Sequence, residues 1–331
     1  MQMTTPSDTE PLYAAVELGS GSFRLHVASC ADGAVRVLAT LSEPIRLGAE
    51  LDADGGFRSD AMRRALDCLR RFRATLEPWQ PRAVRVVAGS ALRLARNAPT
   101  FFPAAQAAIG HPVELIGPEE EGRLVYLGVA GALGGMRERR LVLDIGSGST
   151  ELAVGCGERI ERVQSYGVGA LRHGLAFFGD GIVPSAFEAA LESSRSRFAD
   201  AGAAPGMRGW ERAYGACGSV RMLAELAGEL LPAARPLYAG RLYALRRVLI
   251  ENGELARIAA RWPQPGRAAQ VAGGLAMLLA LVEELGIDAV LPSQAGLRAG
   301  VIRELHLRTQ AGAPGAADGG TPDGTHYREC A

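Results

Sequence analysis

Two segments of this chain carry the same residue types at the same spacing. They are Val16-Glu17-Leu18-Gly19-Ser20-Gly21-Ser22-Phe23-Arg24-Leu25 and Leu143-Asp144-Ile145-Gly146-Ser147-Gly148-Ser149-Thr150-Glu151-Leu152, 127 residues apart at every position. Each reads acid, aliphatic, Gly-Ser-Gly-Ser, two variable residues, Leu. Glycine lets a backbone turn sharply and approach a ligand closely. Successive N–H groups in such a turn form an anion-binding nest, and the serines add hydroxyl donors. The acid before each loop, Glu17 or Asp144, could hold a divalent cation directly or through water. Facing each other, the loops would grip adjacent phosphates from both sides. One Gly/Ser turn alone reads as a plain hairpin. Two copies with the same acid offset argue against that reading for the pair.

Three further segments could supply chemistry. Pro118-Glu119-Glu120-Glu121-Gly122-Arg123 reads as a helix start, where carboxylates complement the macrodipole. One of them could instead point into a cleft as general base for a water. Gly89-Ser90-Ala91-Leu92-Arg93 follows a strand; Arg93 could contact phosphate oxygens in bidentate fashion or form a surface ion pair. Tyr214-Gly215-Ala216-Cys217-Gly218-Ser219 is a small-residue turn that could admit a nucleotide or further phosphates, or serve tight strand–helix packing. The five histidines are scattered and show no metal spacing.

The elements that must position these residues repeat as well. Strands are predicted at 12–18, 23–29 and 34–40, then a helix capped by Ser59 and running to about Glu77, a strand at 83–88, helices at 90–96 and 99–108, a strand at 113–116 and a helix at 119–133. The three-strand opening then restarts at 140–145, 150–155 and 159–165. Helices follow at 168–178 and 184–201, a strand at 213–216, a helix from Ser219, a helical region at 241–260, a helix at 268–286, a strand at 289–291 and a helix at 297–308. A domain-sized repeat implies a duplicated α/β domain with a central cleft. The expected division is a disordered stretch at 1–11, a first domain at 12–134, a second at 135–308 whose last helix could pack back on the first, and a disordered tail at 309–331.

Composition narrows the partners. Lys plus Arg equals Asp plus Glu, 36 each, so no overall basic footprint for nucleic acid exists. Arg63, Arg64, Arg70, Arg71 and Arg73 crowd one helix, which reads either as a solvated face or as a surface for a polyanion. Five scattered cysteines without CxxC pairing argue against a disulfide framework or zinc site and fit a reducing compartment. Residues 1–11 lack the apolar block of a signal peptide, and the longest apolar run, Val271 to Val282, reads as a buried helix. A cytoplasmic protein without membrane or nucleic-acid partners is expected.

At these residues the chain resembles the exopolyphosphatase and guanosine pentaphosphate phosphohydrolase (Ppx/GppA) family of the actin-like ATPase superfamily, over about residues 12–308. The segments that carry the resemblance are Val142 to Leu152, Glu120 to Leu124, Ser90 to Arg93 and Ser293 to Val301. The resemblance implies two actin-like (ribonuclease H-like) domains. It implies Glu121 as the base that activates water and Glu151 as a group positioning that water or the metal. Asp144 and Glu17 would bind Mg²⁺ or another divalent cation such as Mn²⁺. Gly19, Ser20, Gly21, Ser22, Gly146, Ser147, Gly148, Ser149 and Arg93 would hold the terminal phosphoryl group. The implied reaction releases orthophosphate from inorganic polyphosphate or the 5′-phosphate of pppGpp, and the family admits a homodimer.

Three positions depart from the family pattern: Glu17 stands for Asp, Gly21 for Asn and Ala299 for Glu. They motivate a second reading as a weak or inactive polyphosphate- or alarmone-binding protein. A third reading, an actin-like kinase, conflicts with the Glu120-Glu121-Gly122-Arg123 segment. The C-terminal helical extension with an HD-type signature, present in longer relatives, is expected to be missing here.

Overall fold

A computed structural model describes residues 10–31, 33–49, 54–134, 136–231, 236–251 and 267–311. The first half contains β1 (Leu12–Leu18), β2 (Phe23–Ala31), β3 (Ala34–Glu43), α1 (Ser59–Leu76), β4 (Ala83–Ala88), α2 (Ser90–Leu94), α3 (Ala98–Ile109), β5 (Val113–Leu115) and α4 (Pro118–Ala132). The second contains β6 (Arg139–Ile145), β7 (Thr150–Cys156), β8 (Arg159–Tyr166), α5 (Ala170–Phe178), α6 (Pro184–Phe198), β9 (Arg212–Gly215), α7 (Gly218–Leu230), β10 (Leu237–Tyr238) and α8 (Ala239–Glu251). It ends in α9 (Arg267–Leu285), β11 (Ala289–Pro292) and α10 (Leu297–Ala311).

The duplication extends to the hydrogen-bond register. The first sheet runs β3-β2-β1-β4-β5; the second runs β8-β7-β6-β9-β11 in the same sense, with β10 added at the edge. Leu18 pairs with Phe23 in one hairpin and Ile145 with Thr150 in the other. Each second strand carries an irregularity at the same place, between Val27 and Ala28 and between Val154 and Gly155. The fold is two duplicated actin-like α/β domains.

Alternation along the central strands decides which residues face which layer. In β1, Ala14, Val16 and Leu18 join the outer core beneath α1 and α3, while Tyr13 and Ala15 join a middle core. In β6, Leu141, Leu143 and Ile145 face the outer core with α5 to α9, and Val142 faces the middle. That middle layer is made by Leu124, Val125 and Val129 of α4 with Leu297, Val301 and Ile302 of α10. The closing helix thus packs against β1, β2 and β4 of the first half. By the same parity Glu17, Asp144 and Glu151 all point inward.

Several local expectations change. Arg58 is the N-cap of α1 and makes no side-chain cap bond, so Ser59 is the first helical residue rather than its cap. The edge strand Leu237–Tyr238, too short for periodicity to reveal, joins the second sheet. The helix expected over 241–260 is described to Glu251, and the remainder lies outside the described residues. The final helix runs to Ala311, three residues beyond the expected end, while the stretches expected to be disordered lie otherwise mainly outside the described residues. The helix Arg267–Leu285 is long and apolar enough to cross a membrane, but 83% of its apolar window is buried inside the protein. Arg64, Arg70, Arg71 and Arg73 pair with Asp60, Asp67, Glu43 and Glu77 on an exposed surface, which favours the solvated-face reading of that arginine cluster.

Candidate active site

The loops after β1 and β6 meet across a cleft of about 620 Å³. Each is closed by the same bond, Gly19 N–H donating to Ser22 O at 3.2 Å and Gly146 N–H to Ser149 O at 2.9 Å. A Cβ at Gly19 or at Gly146 would lie 3.0 Å from that accepting carbonyl, so both turns favour glycine for the same steric reason. The contact between loops is direct. A Cβ on Gly148 would stand 2.6 Å from Ser90 Oγ and 2.7 Å from Ser20 Oγ; one on Gly21 would stand 3.1 Å from Ser147 Cβ and nearer still to its hydroxyl.

Neighbouring elements fasten both loops. Gly48 N–H donates to Ser20 O and Arg46 N–H to Gly21 O, both at 2.9 Å. The Ser20 hydroxyl hydrogen-bonds that of Ser90 at 2.8 Å and accepts from Ala91 N–H at 3.1 Å. On the other side, Ala170 N–H donates to Gly146 O at 2.8 Å and Gln270 reaches Ser147 Oγ at 3.4 Å. Ser22 and Ser149 line the cleft beside them. All eight loop residues expected to hold phosphate are therefore brought together.

Glu121 enters from the first turn of α4. Arg93 Nη1 donates to its Oε2 at 2.9 Å and to Ile116 O at 2.8 Å. Gly89 leaves room for this carboxylate, since a Cβ there would lie 3.2 Å from Glu121 Oε1. Arg93 thus sits beside the base, anchored through Nη1. Glu120, its neighbour, points away to Arg123 and Arg85. The remaining small-residue turn also reaches the cleft: Ala216 to Ser219 and Arg221 line it, and the Ser219 hydroxyl donates to Ile145 O at 2.9 Å.

The carboxylates divide into two environments. Glu17, one of the two expected metal ligands, does not stand free: Arg298 Nη1 bonds its Oε2. Burial works to raise the Glu17 pKa, but Arg298 and Arg24 outweigh it and hold the group below the ordinary carboxylate value. Asp144 has the opposite balance. Burial, then Glu121 and Glu17, push it up to about 7. Burial, Glu121 and Asp144 raise Glu151 well above its ordinary value, although Ser165 donates to its Oε1 at 3.0 Å. Glu121 is raised by burial, against the pull of Arg93. Burial and Arg298 lower His26 to about 3, so it is neutral at physiological pH.

Mutually repelling, partly buried carboxylates beside phosphate loops are hard oxygen donors that suit Mg²⁺ or Mn²⁺. Among the described residues no three His, Cys, Asp or Glu groups form a ready ligand set. Mg²⁺ usually keeps several waters and takes one or two carboxylates together with substrate phosphate oxygens. Asp144, with its neighbours Glu151 and Glu121, is the carboxylate here that could hold such an ion.

Sequence reasoning assigned no role to Arg24, His26, Arg221, Arg267 or Arg298, all of which line the cleft. For two of them a signal existed. Arg24 and His26 alternate with Phe23, Leu25 and Val27 in β2, so the parity that buries the latter turns the former toward Glu17.

Comparison with known proteins places this architecture. A solved structure of the Aquifex aeolicus Ppx/GppA family member matches with TM-score 0.76 and 24% identity, over 90% of this chain and 98% of that one. An exopolyphosphatase from Cytophaga hutchinsonii matches with TM-score 0.79 and 22% identity, over 91% and 98% respectively. The model of the Ppx/GppA phosphatase family matches residues 26–309, and with nearly all of the described chain inside that match, the chain belongs to the Ppx/GppA phosphatase family.

Proposed function

We propose that this protein is a hydrolase that releases terminal orthophosphate from inorganic polyphosphate, the terminal 5′-phosphate from pppGpp, or both, in the cytoplasm. The observation that carries the reading is the Glu121 carboxylate, held by Arg93 beside two interlocking Gly/Ser loops in one cleft. Loop N–H groups and serine hydroxyls bind the terminal phosphoryl oxygens and fix the phosphorus for in-line attack. Glu121 accepts a proton from water as the water oxygen bonds to phosphorus. The phosphoanhydride bond breaks, and the shortened chain leaves with the bridging oxygen and its electron pair. Burial strengthens Glu121 as a base once it is ionised. Glu151, bonded by Ser165, orients the attacking water. Asp144 would hold a divalent cation, which when bound would supply charge neutralisation to the phosphate oxygens.

The test is phosphate release with Mg²⁺ from polyphosphate and from pppGpp in parallel. Glu121→Gln lowers kcat by about 10²–10⁴, the range for a lost general base. An unchanged rate would show that another group takes the proton. A second reading, a ligand-binding protein of weak or absent activity, is favoured by one observation, the engagement of Glu17 by Arg298. Tight tripolyphosphate binding with no release under Mg²⁺, Mn²⁺ or Ca²⁺ would establish it.

A further inference from the structure

The two hairpins share a backbone and differ in charge. Glu17 lies directly across from Arg24 in the β1–β2 register, whereas Asp144 lies across from Glu151 in the β6–β7 register. Strand alternation turns all four toward the middle layer. Arg298, in the first turn of α10, adds a second cation to the first wall through its bond to Glu17. Glu121 adds a third carboxylate to the field of the second wall. One wall is thus cationic apart from Glu17, and the other carries acids.

Resting on the reading that this cleft cleaves phosphoanhydrides with a divalent cation at Asp144, we propose that Glu17 is not a ligand of that cation but the counter-ion that positions Arg298 toward the phosphate chain. A carboxylate already bonded to a guanidinium is a poor dication ligand, because Arg298 and Arg24 repel the incoming ion at the same spot. The acidic wall offers the reverse: carboxylates whose mutual repulsion a dication relieves. The pair is only partly exposed, 14% for Arg298 and 20% for Glu17, so solvent screens it incompletely. Glu17 fixes one Nη of Arg298, and the guanidinium lines the cleft. A planar fork anchored at one nitrogen presents its remaining donors in a set direction, which suits phosphate oxygens. The extra methylene of Glu17, at a position where the resemblance leads one to expect Asp, supplies the reach from β1 to α10.

The experiment measures two affinities by calorimetry, Mn²⁺ for protein stripped of divalent ions and tripolyphosphate without divalent ions. Asp144→Asn weakens Mn²⁺ by about tenfold or more, and Glu17→Gln leaves it within about threefold. Arg298→Gln weakens tripolyphosphate by about fivefold or more and tightens Mn²⁺, because Glu17 is released; the tightening disappears in Glu17→Gln/Arg298→Gln. A merely structural pair would not produce this opposed, non-additive pattern. If Arg298→Gln does not fold, Arg298→Lys keeps the charge and loses the fork, so tripolyphosphate weakens while Mn²⁺ stays within about threefold. Glu17→Gln weakening Mn²⁺ as much as Asp144→Asn overturns the inference and leaves the proposed hydrolase standing, as does tripolyphosphate binding that ignores both Arg298 variants. Asp144→Asn and Glu17→Gln both leaving Mn²⁺ unaffected overturns the inference together with the cation's place in the proposed function.

Discussion

Gly169→Ala isolates how tightly the second loop is held. Gly169 precedes α5 with φ −137° and ψ 158°, an extended conformation that alanine adopts freely, so the substitution adds no backbone strain. It adds one methyl group in an occupied place. The new Cβ would lie 2.6 Å from Gly148 C and closer still to Gly148 N and Ser147 C. These are backbone atoms, so no rotamer change relieves the contact. Nor can α5 retreat, because a Cβ on Gly273 of α9 would already stand 2.6 Å from Gly174 N. The loop must therefore yield, by on the order of 1 Å to restore ordinary van der Waals separation. Displacing a positioning group by that amount costs about 10² in rate. The expected result is a kcat about a hundredfold lower on the better of the two substrates. Far-UV circular dichroism is unchanged, and the melting point falls by no more than several degrees. Wild-type kcat and KM in a folded Gly169→Ala protein would refute the argument that the position of this loop limits the reaction.

Other outcomes follow from the same geometry. Gly228→Ala, in an exposed stretch of α7 where a Cβ meets nothing within 4 Å, should stabilise the protein by about 0.5–1 kcal/mol in urea unfolding without altering kinetics. Arg85 is buried and binds Glu114, Glu120 and Glu304; Arg85→Met leaves those acids facing one another and should cost about 3 kcal/mol in the same assay. Asp144 carries a folded pKa raised from 3.8 to about 7, so the native state binds the extra proton between those values. Stability of the protein stripped of divalent ions should therefore fall as pH rises from about 4 to about 7, and saturating Mg²⁺ should flatten that slope in melting curves. A slope of opposite sign would place the charged form of Asp144 in a favourable environment.

Much of this protein could be read from residue types alone because duplication leaves a local record. Each Gly-Ser-Gly-Ser turn favours glycine at its first position to clear a carbonyl three residues along the same loop, so identical turns favour identical residues. The acid ahead of each turn is fixed by strand parity, which is also local. Glu121 is singled out by the resemblance alone, since its own neighbourhood reads first as acids complementing a helix macrodipole.

What the amino-acid order determined, then, was the pair of loops, the α/β alternation around them and the inward parity of Glu17, Asp144 and Glu151. Only the tertiary structure decided how those groups are charged in company. Glu17 meets Arg298 and Arg93 meets Glu121 because α10 and α4 fill the layer between the two sheets. Those partners lie 281 and 28 residues apart in the chain. Electrostatic environment depends on distance in space and on burial, neither of which has a period or a spacing along the sequence.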